Sequence, residues 1–538
     1  MTTSGGHADR SADGAEERCR TVAADGEADR PRFSSALLLL ALAVFAVPRL
    51  AMLTRYPPWQ DELWTLDVLA RDFPTMLRWI VADQTHPPLF YAMAWVWQRV
   101  GGDALWWMRL LPALIGIAAA VPLVALCRAA RLGALGTWLA VLLAAASPWL
   151  VFYSAELRGT GLYATLAVAS LAAWLRARDS ATNDRAPWRL LLVVNVAMVY
   201  SHYFGWLVVA AEGADALVAA RRRLPRFVRI AAWTALAFAP WVVLVVRRAI
   251  RFPRGLEMVA WIPRPTLGDF LDPYRAAFGA SPWLGVDLAL VVLAGGAIAW
   301  RLAREGGGRE AGGSEHSGRD DAGERGERRA REGPLTPLAL AATLPAVIAL
   351  VASATGPRSM WVARYLLAVA VPFLVLAAAA ATGLLAPRLR PAALALALWP
   401  AVLTAWHGAR RDEKVAYDAI VRGMVARDSA RDSGRDTTRD VARDAAARAT
   451  PVVALDYEEG GPLAWVAAHG HVSFAVTTVP SVDSIHSPRA WVVWNAAQPP
   501  PGPPATARLL RRGYRVEDEF FVRGMDDSVV AVAVRRAR

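Results

Sequence analysis

Cysteine is nearly absent. The 538 residues hold two, Cys19 and Cys127, and both fall on the side of the membrane assigned below to the cytoplasm. That excludes a disulfide framework and a cysteine-based metal site. No glycine-rich loop of the kind that cradles a nucleotide phosphate is evident, so no nucleotide cofactor is expected, and no clear internal repeat is visible. The first apolar run, "SSALLLLALAVFAVPRLAML", has no small-residue cleavage pattern after it. It reads as an uncleaved signal-anchor. Long apolar runs, by contrast, are abundant. The composition is 55% hydrophobic, which places the chain in a membrane class. The formal net charge is +13, but the arginines sit in short clusters between apolar runs. That pattern reads as topology and excludes a nucleic-acid partner. Many of the 23 tryptophans lie near the ends of apolar runs, as in interfacial belts.

A crossing helix needs roughly 20 apolar residues. Eleven candidate spans meet or approach this: 34–54, 107–127, 135–153, 160–177, 188–203, 204–220, 228–247, 282–303, 335–354, 363–384 and 391–407. Basic connectors such as "RAARLG", "RRRLPRFVR" and the stretch 301–331 fall on one side, which the positive-inside rule makes cytoplasmic. "RRAIRFPRG" is the exception. The expected organisation is therefore a cytoplasmic, disordered 1–33, a polytopic all-α domain over 34–407, and an external tail. Within 34–407, residues 55–106 form an external loop carrying an interfacial helix in "HPPLFYAMAWVWQRV", and the Gly-, Arg- and Glu-rich 304–333 forms a disordered cytoplasmic linker. Residues 408–450, with an Arg-Asp pair every four residues, read as a helical spacer. In 451–538, "PVVALDY", "AWVVWNA" and "SVVAVAVRR" read as strands of a small α/β domain, with "GPLAWVAAHG" and "ATARLLRRG" as helices.

Ionisable residues recur at the external ends of the spans. Asp61 and Glu62 follow the first span in "WQDELWTLD", and His86 lies in "THPPLF". Glu156 and Arg158 lie in "YSAELRG", His202 and Tyr203 in "YSHYFG", and Arg358 and Arg364 in "ATGPRSMWVARYL". Such groups at membrane depth are functional candidates. Carboxylates can act as general bases or bind a metal, with Asp61 and Glu156 the metal candidates. Arginine and histidine can hold a phosphate. Each also has a plainer reading: Asp61 or Glu62 as a helix cap, Glu156 with Arg158 as an interfacial ion pair, His86 as a turn cap. His202 and Tyr203 suit an aromatic belt, and Arg364 could snorkel. Glu212 and Asp215 lie within a span and read as a bundle-internal polar pair.

"DELWTLDVLARDF", "HPPLFYAMAWVWQRVGG", "WMRLLPALIGIAAAVPLVAL" and "SPWLVFYSAELRGTGLYA" follow one another in an order and spacing that resembles the GT-C superfamily of membrane glycosyltransferases. The likeness is greatest to the protein O-mannosyltransferase and lipid A aminoarabinose transferase branch, covers roughly 34–407, and is strongest in the first 210 residues. It implies a sugar taken from a polyprenyl-phosphate carrier on the external face and passed to an envelope lipid, polysaccharide or protein, usually with inversion. It implies Asp61 as the base or its helper and Glu156 as a second acid; Glu62 joins the catalytic set by its own place beside Asp61 at the membrane edge. His86, Arg158, His202, Tyr203 and Arg364 would contact the substrate and its phosphate, and a divalent cation is an alternative stabiliser. His86 stands where aminoarabinose transferases tend to carry Lys, which argues against that substrate. The competing class is a transporter or flippase for lipid-linked sugars, for which Glu212 and Asp215 are the only features.

Overall fold

The computed structural model describes residues 35–54, 58–181, 184–251, 262–278, 335–384, 417–432, 450–455, 463–464, 466, 476–479, 481–495, 505–523 and 528–537. The expected 1–33 terminus, the spans 282–303 and 391–407, and the 304–333 linker lie outside these residues.

Four described helices are long and apolar enough to cross a membrane: Leu105–Ala129, Arg221–Arg251, Thr336–Thr355 and Ala363–Thr382. The chain is a membrane protein. A fifth crossing is possible if Ala134–Ala146 and Pro148–Ala155, bent by 57° at their junction, count as one. Nine of the eleven expected spans fall among the described residues, and fewer than nine helices there are long and apolar enough, for identifiable reasons. The expected straight span 135–153 breaks where the Ser147 hydroxyl accepts the amide of Leu150 and Pro148 opens a new helix. The expected spans 188–203 and 204–220 are helices of 16 and 14 residues, Ala186–Ser201 and Gly205–Val218. Thr160–Asp179 is long enough, but its last turn carries Arg176 and Arg178.

Thr160–Asp179 is buried on nearly every face, as a central helix must be, and it packs against Ala120–Ala129, Ala186–Ser201 and Gly205–Val218. Its Arg178 pairs with Asp215 at 3.1 Å, and its Trp174 indole donates to the same carboxylate at 2.9 Å. On the same helix Ser170 meets both Asn195 and Glu212, and the Asn195 amide donates to Glu212 at 3.2 Å. Glu212 and Asp215, expected as one pair, therefore belong to two separate buried networks.

Three helices stand between the first helix, Ser35–Ala51, and the Leu105–Ala129 span: Gln60–Leu69, Phe73–Asp83 and Leu89–Gly101. Asp72 caps the second by accepting the Thr75 amide at 2.9 Å, with Pro74 in its first turn. Gln84 ends that helix in the left-handed conformation (φ 60°). Pro87 and Pro88 then start the third. Arg99 ties the group together by donating to the carbonyls of Leu69 and Arg71 at 2.9 and 2.8 Å. The Trp97 and Trp107 rings stack with centroids 4.3 Å apart, and each indole donates to the other's carbonyl. This clamp turns the chain into the long span.

The tail contains a five-stranded mixed sheet in the order β2-β1-β3-β5-β4. The strands are β1 Val452–Ala454, β2 Val476–Thr478, β3 Arg489–Asn495, β4 Tyr514–Arg523 and β5 Ser528–Arg536. The three strand-like runs hold β1, β3 and β5, whereas β2 and β4 were not anticipated. Alternate residues cover opposite faces. Val492, Val532 and Val534 face the Ala505–Arg511 helix, while Trp491, Val493 and Ala531 face Ile420, Val421 and Met424 of the Tyr417–Asp432 helix. That helix lies in the expected spacer, but its apolar side is buried on the sheet. Asp428 accepts the Trp491 indole there at 3.2 Å.

Candidate active site

The dipeptide Asp61–Glu62 divides its two carboxylates between two environments, because neighbouring helical residues point about 100° apart. Glu62 is fully buried. It accepts two bonds from Arg109, at 2.9 and 2.6 Å, and the amide of Leu157 at 3.0 Å. It also caps its own helix through the Trp59 amide at 3.4 Å. Arg109 donates further to the Leu53 carbonyl at 3.3 Å. One ion pair thus joins the start of the Gln60–Leu69 helix, the long span, and the turn that carries Glu156 and Arg158.

Asp61 points the other way and keeps 27% of its side chain exposed. Its carboxylate lies 3.4 Å from Arg364 and 3.9 Å from Arg158. Arg158 is buried and donates to the Asp61 carbonyl and the Thr65 hydroxyl, both at 3.4 Å. The same guanidinium lies 3.5 Å from both ring nitrogens of His86. Burial would lower the Arg158 pKa, but Tyr91, Asp61, Glu156 and Asp83 around it outweigh burial and raise it, so it stays cationic. Arg364 sits over the Trp59 ring at 5.4 Å, which fixes it beside Asp61.

Behind Arg158 runs a short polar chain. His86 Nδ1 lies 2.8 Å from the Thr85 hydroxyl and 3.8 Å from the Asp83 carboxylate, and that hydroxyl also bonds Asp83. Burial, and then Arg158, push the His86 pKa down, so the ring is neutral near pH 7. Asp83 is pulled the other way. Burial would raise it, but hydrogen bonds to His86 and Thr85 hold it below the usual carboxylate range.

His202 is buried at 4.9 Å from both the Tyr163 and Tyr365 rings, stacked on the first and tilted against the second. Burial, then His86, Arg158 and Arg364, hold its pKa well below normal. Glu156 is buried, and its charge acts on both Arg158 and Arg364. Tyr203 faces elsewhere: its hydroxyl accepts the Trp241 indole at 3.0 Å within a neighbouring apolar cluster. Arg358 shows no link to these groups among the described residues. Asp61, Glu156, His86, Arg158, His202 and Arg364 therefore come together, Glu62 supports them from behind, and Tyr203 does not join them.

Sequence reasoning missed Arg109, Asp83, Thr85 and Tyr91. Arg109 carried the best available signal, an arginine inside the long apolar run "WMRLLPALIGIAAAVPLVAL". The donor set does not fit the expected divalent cation. Among the described residues no three His, Cys, Asp or Glu side chains are placed to hold a metal ion together, and the Asp61 carboxylate faces two guanidiniums.

No protein-family model matches the chain, and no curated protein matches it. Solved structures similar to it include ArnT from Cupriavidus metallidurans in the apo state, at 16% identity over 92% of this chain and 97% of that one, with a TM-score of 0.49. The same protein bound to undecaprenyl phosphate shows 15% identity over 92% and 97%, with a TM-score of 0.47. The archaeal oligosaccharyltransferase AglB from Archaeoglobus fulgidus, in complex with an inhibitory peptide and a dolichol-phosphate, shows 13% identity over 86% and 70%, with a TM-score of 0.43. Likenesses this distant carry no functional argument of their own.

Proposed function

We propose that the protein is a membrane glycosyltransferase that moves a sugar from a polyprenyl-phosphate donor to an envelope lipid, polysaccharide or protein. The observation that carries this reading is the partly exposed Asp61 carboxylate held between Arg364 and Arg158 at 3.4 and 3.9 Å. Two guanidiniums and one accessible carboxylate form a site for an anion beside a base. A phosphate arriving at the arginines would compete with Asp61 for them and free the carboxylate to face the acceptor. The ordered motifs that resemble the GT-C superfamily support the same reading.

The reaction is a single displacement. The acceptor oxygen forms a bond to the anomeric carbon while the bond from that carbon to the phosphate oxygen breaks. The acceptor proton passes to Asp61, and the polyprenyl phosphate leaves with the bonding electron pair. One displacement at one carbon inverts it. Negative charge grows on the phosphate as the bond breaks, so Arg158 and Arg364 bind the transition state more tightly than the donor. Neutral His86 and His202 leave those two charges undiluted. Glu62 acts as a positioning residue: with Arg109 it sets the helix start from which Asp61 projects. In this reading the site faces the external side of the inner membrane, with the N-terminus cytoplasmic and the tail external, near the acceptor.

The flippase reading loses its main support, because Glu212 and Asp215 are both engaged in networks inside the bundle. Liposomes carrying wild-type protein, labelled polyprenyl-phosphate sugars and crude envelope lipid separate the two. Sugar leaving the carrier supports transfer. Intact carrier moved across the bilayer sinks it in favour of flipping.

A further inference from the structure

Three segments meet behind Arg158. Gly159 packs so closely that an added Cβ would lie 3.3 Å from the Phe90 Cβ and 3.5 Å from the Ser201 carbonyl oxygen. The residue beside each of these three is polar: Arg158, Tyr91 and His202. The His86 ring lies between the last two, 6.4 Å from Tyr91 and 5.9 Å from His202.

Both Tyr91 and His202 are buried, at 1% and 3% exposure. The Tyr91 hydroxyl and the His202 Nε2 have no hydrogen-bond partner among the described residues. The Phe204 amide donates to His202 Nδ1 at 3.2 Å, so Nδ1 is the acceptor and Nε2 carries the hydrogen of the neutral ring. The two orphans are thus both available as neutral donors. Buried donors are almost always satisfied, and an exception needs a reason. Two exceptions around one arginine ask for the same thing, a ligand rich in acceptor oxygens.

Resting on the transferase reading above, we propose that Tyr91 and His202 are specificity-determining donors that hydrogen-bond the oxygens of the phosphate-linked sugar held at Arg158. Neither hydroxyl nor imidazole adds charge, so they can sort ligands by oxygen position without changing the field at the arginines.

The test uses the full-length protein with Tyr91→Phe and His202→Asn. The first deletes only the hydroxyl. The second keeps an acceptor for the Phe204 amide and removes the Nε2 donor. In the ligand-free state Tyr91→Phe is expected to match or exceed the wild-type Tm, because no internal hydrogen bond is lost. Transfer by each variant is expected to fall about tenfold or more in kcat/KM, the loss of one hydrogen bond to the reacting ligand. Binding of polyprenyl phosphate with and without its sugar locates the oxygens. Loss for the sugar-linked lipid alone supports the inference, and equal loss for both lipids, which assigns the donors to the phosphate, overturns it. Wild-type kcat/KM in both variants overturns the inference. So does a lower ligand-free Tm for Tyr91→Phe, which would reveal a structural bond. If the wild type transfers no sugar, the transferase reading fails by itself. The ligand-free Tm and the binding of the sugar-linked lipid then decide the inference, and unchanged binding of that lipid in both variants overturns it.

Discussion

Replacing Glu62 by Gln should destabilise the fold strongly. The substitution keeps size and shape but puts an amide where a carboxylate now faces Arg109 at 2.6 Å. Both side chains are almost wholly buried, at 0% and 4% exposure, so neither water nor salt can compensate. Leaving one charge of such a pair buried and unpaired costs on the order of 3–5 kcal/mol. Arg109→Met should cost a similar amount, for the mirror reason. The pair Glu62→Met with Arg109→Met removes both charges, and apolar replacement of a buried ion pair is about neutral or stabilising. The double variant should therefore be far more stable than the two single effects added together. The Trp59 and Leu157 amides lose their acceptor in it, so some of the gain is given back. The assay is a double-mutant cycle on thermal unfolding of purified protein in detergent, with Glu62→Met and Arg109→Met as its two single variants and Glu62→Gln measured beside it. A Glu62→Gln loss below about 1 kcal/mol, as expected for a surface pair, would refute the reasoning, and so would purely additive single effects.

Other perturbations follow from single contacts. Gly101→Ala places a Cβ in steric clash with the Trp107 indole, so the Trp97–Trp107 stack has to shift. Overpacking of this kind typically costs about 1–3 kcal/mol, readable as a lower Tm. His86 and His202 both have lowered folded-state pKa values, so the unfolded chain binds their protons more readily as pH falls. These two residues should leave stability flat above about pH 6.5, the free imidazole value, and erode it from there downward through their folded pKa values. Tm against pH should show this slope, and His86→Gln should reduce it. In the ring of Ser170, Asn195 and Glu212, one serine hydrogen and one amide hydrogen can fill only two of the three contacts, whichever way the amide is turned. A proton on Glu212 supplies the third. Glu212→Gln, which carries that hydrogen permanently, should keep the wild-type Tm, whereas Glu212→Leu should lower it.

The sequence shows some of this site because charge is rare at a membrane. Asp61, His86, Arg158 and Arg364 stand out against apolar surroundings, and the structure brings all four within one cluster. Its limits are equally physical. Glu62 and Asp61 look alike in a string, and only the helix turn between them separates a buried ion pair from an accessible base. Arg109 read as part of a span, since nothing local says that its partner lies 47 residues earlier. Nothing in the string marks out Tyr91 from the aromatics around it, because its missing hydrogen bond is a property of packing. The break at Ser147–Pro148 had a legible signal, a capping serine before a proline, but apolar length on both sides masked it. In the tail, the Arg-Asp period drew attention from Ile420, Val421 and Met424, which precede it and carry the packing.

The central claim is that Asp61 serves chemistry while the arginines beside it serve the phosphate. The direct measurement is donor binding and single-turnover transfer by Asp61→Asn beside wild type. The account predicts donor binding at least as tight as wild type, because Arg158 and Arg364 lose a competing carboxylate. It predicts transfer slower by about 100- to 10,000-fold, the usual worth of a general base. Transfer near the wild-type rate would contradict it, as would lost donor binding with an unchanged rate for the donor that still binds.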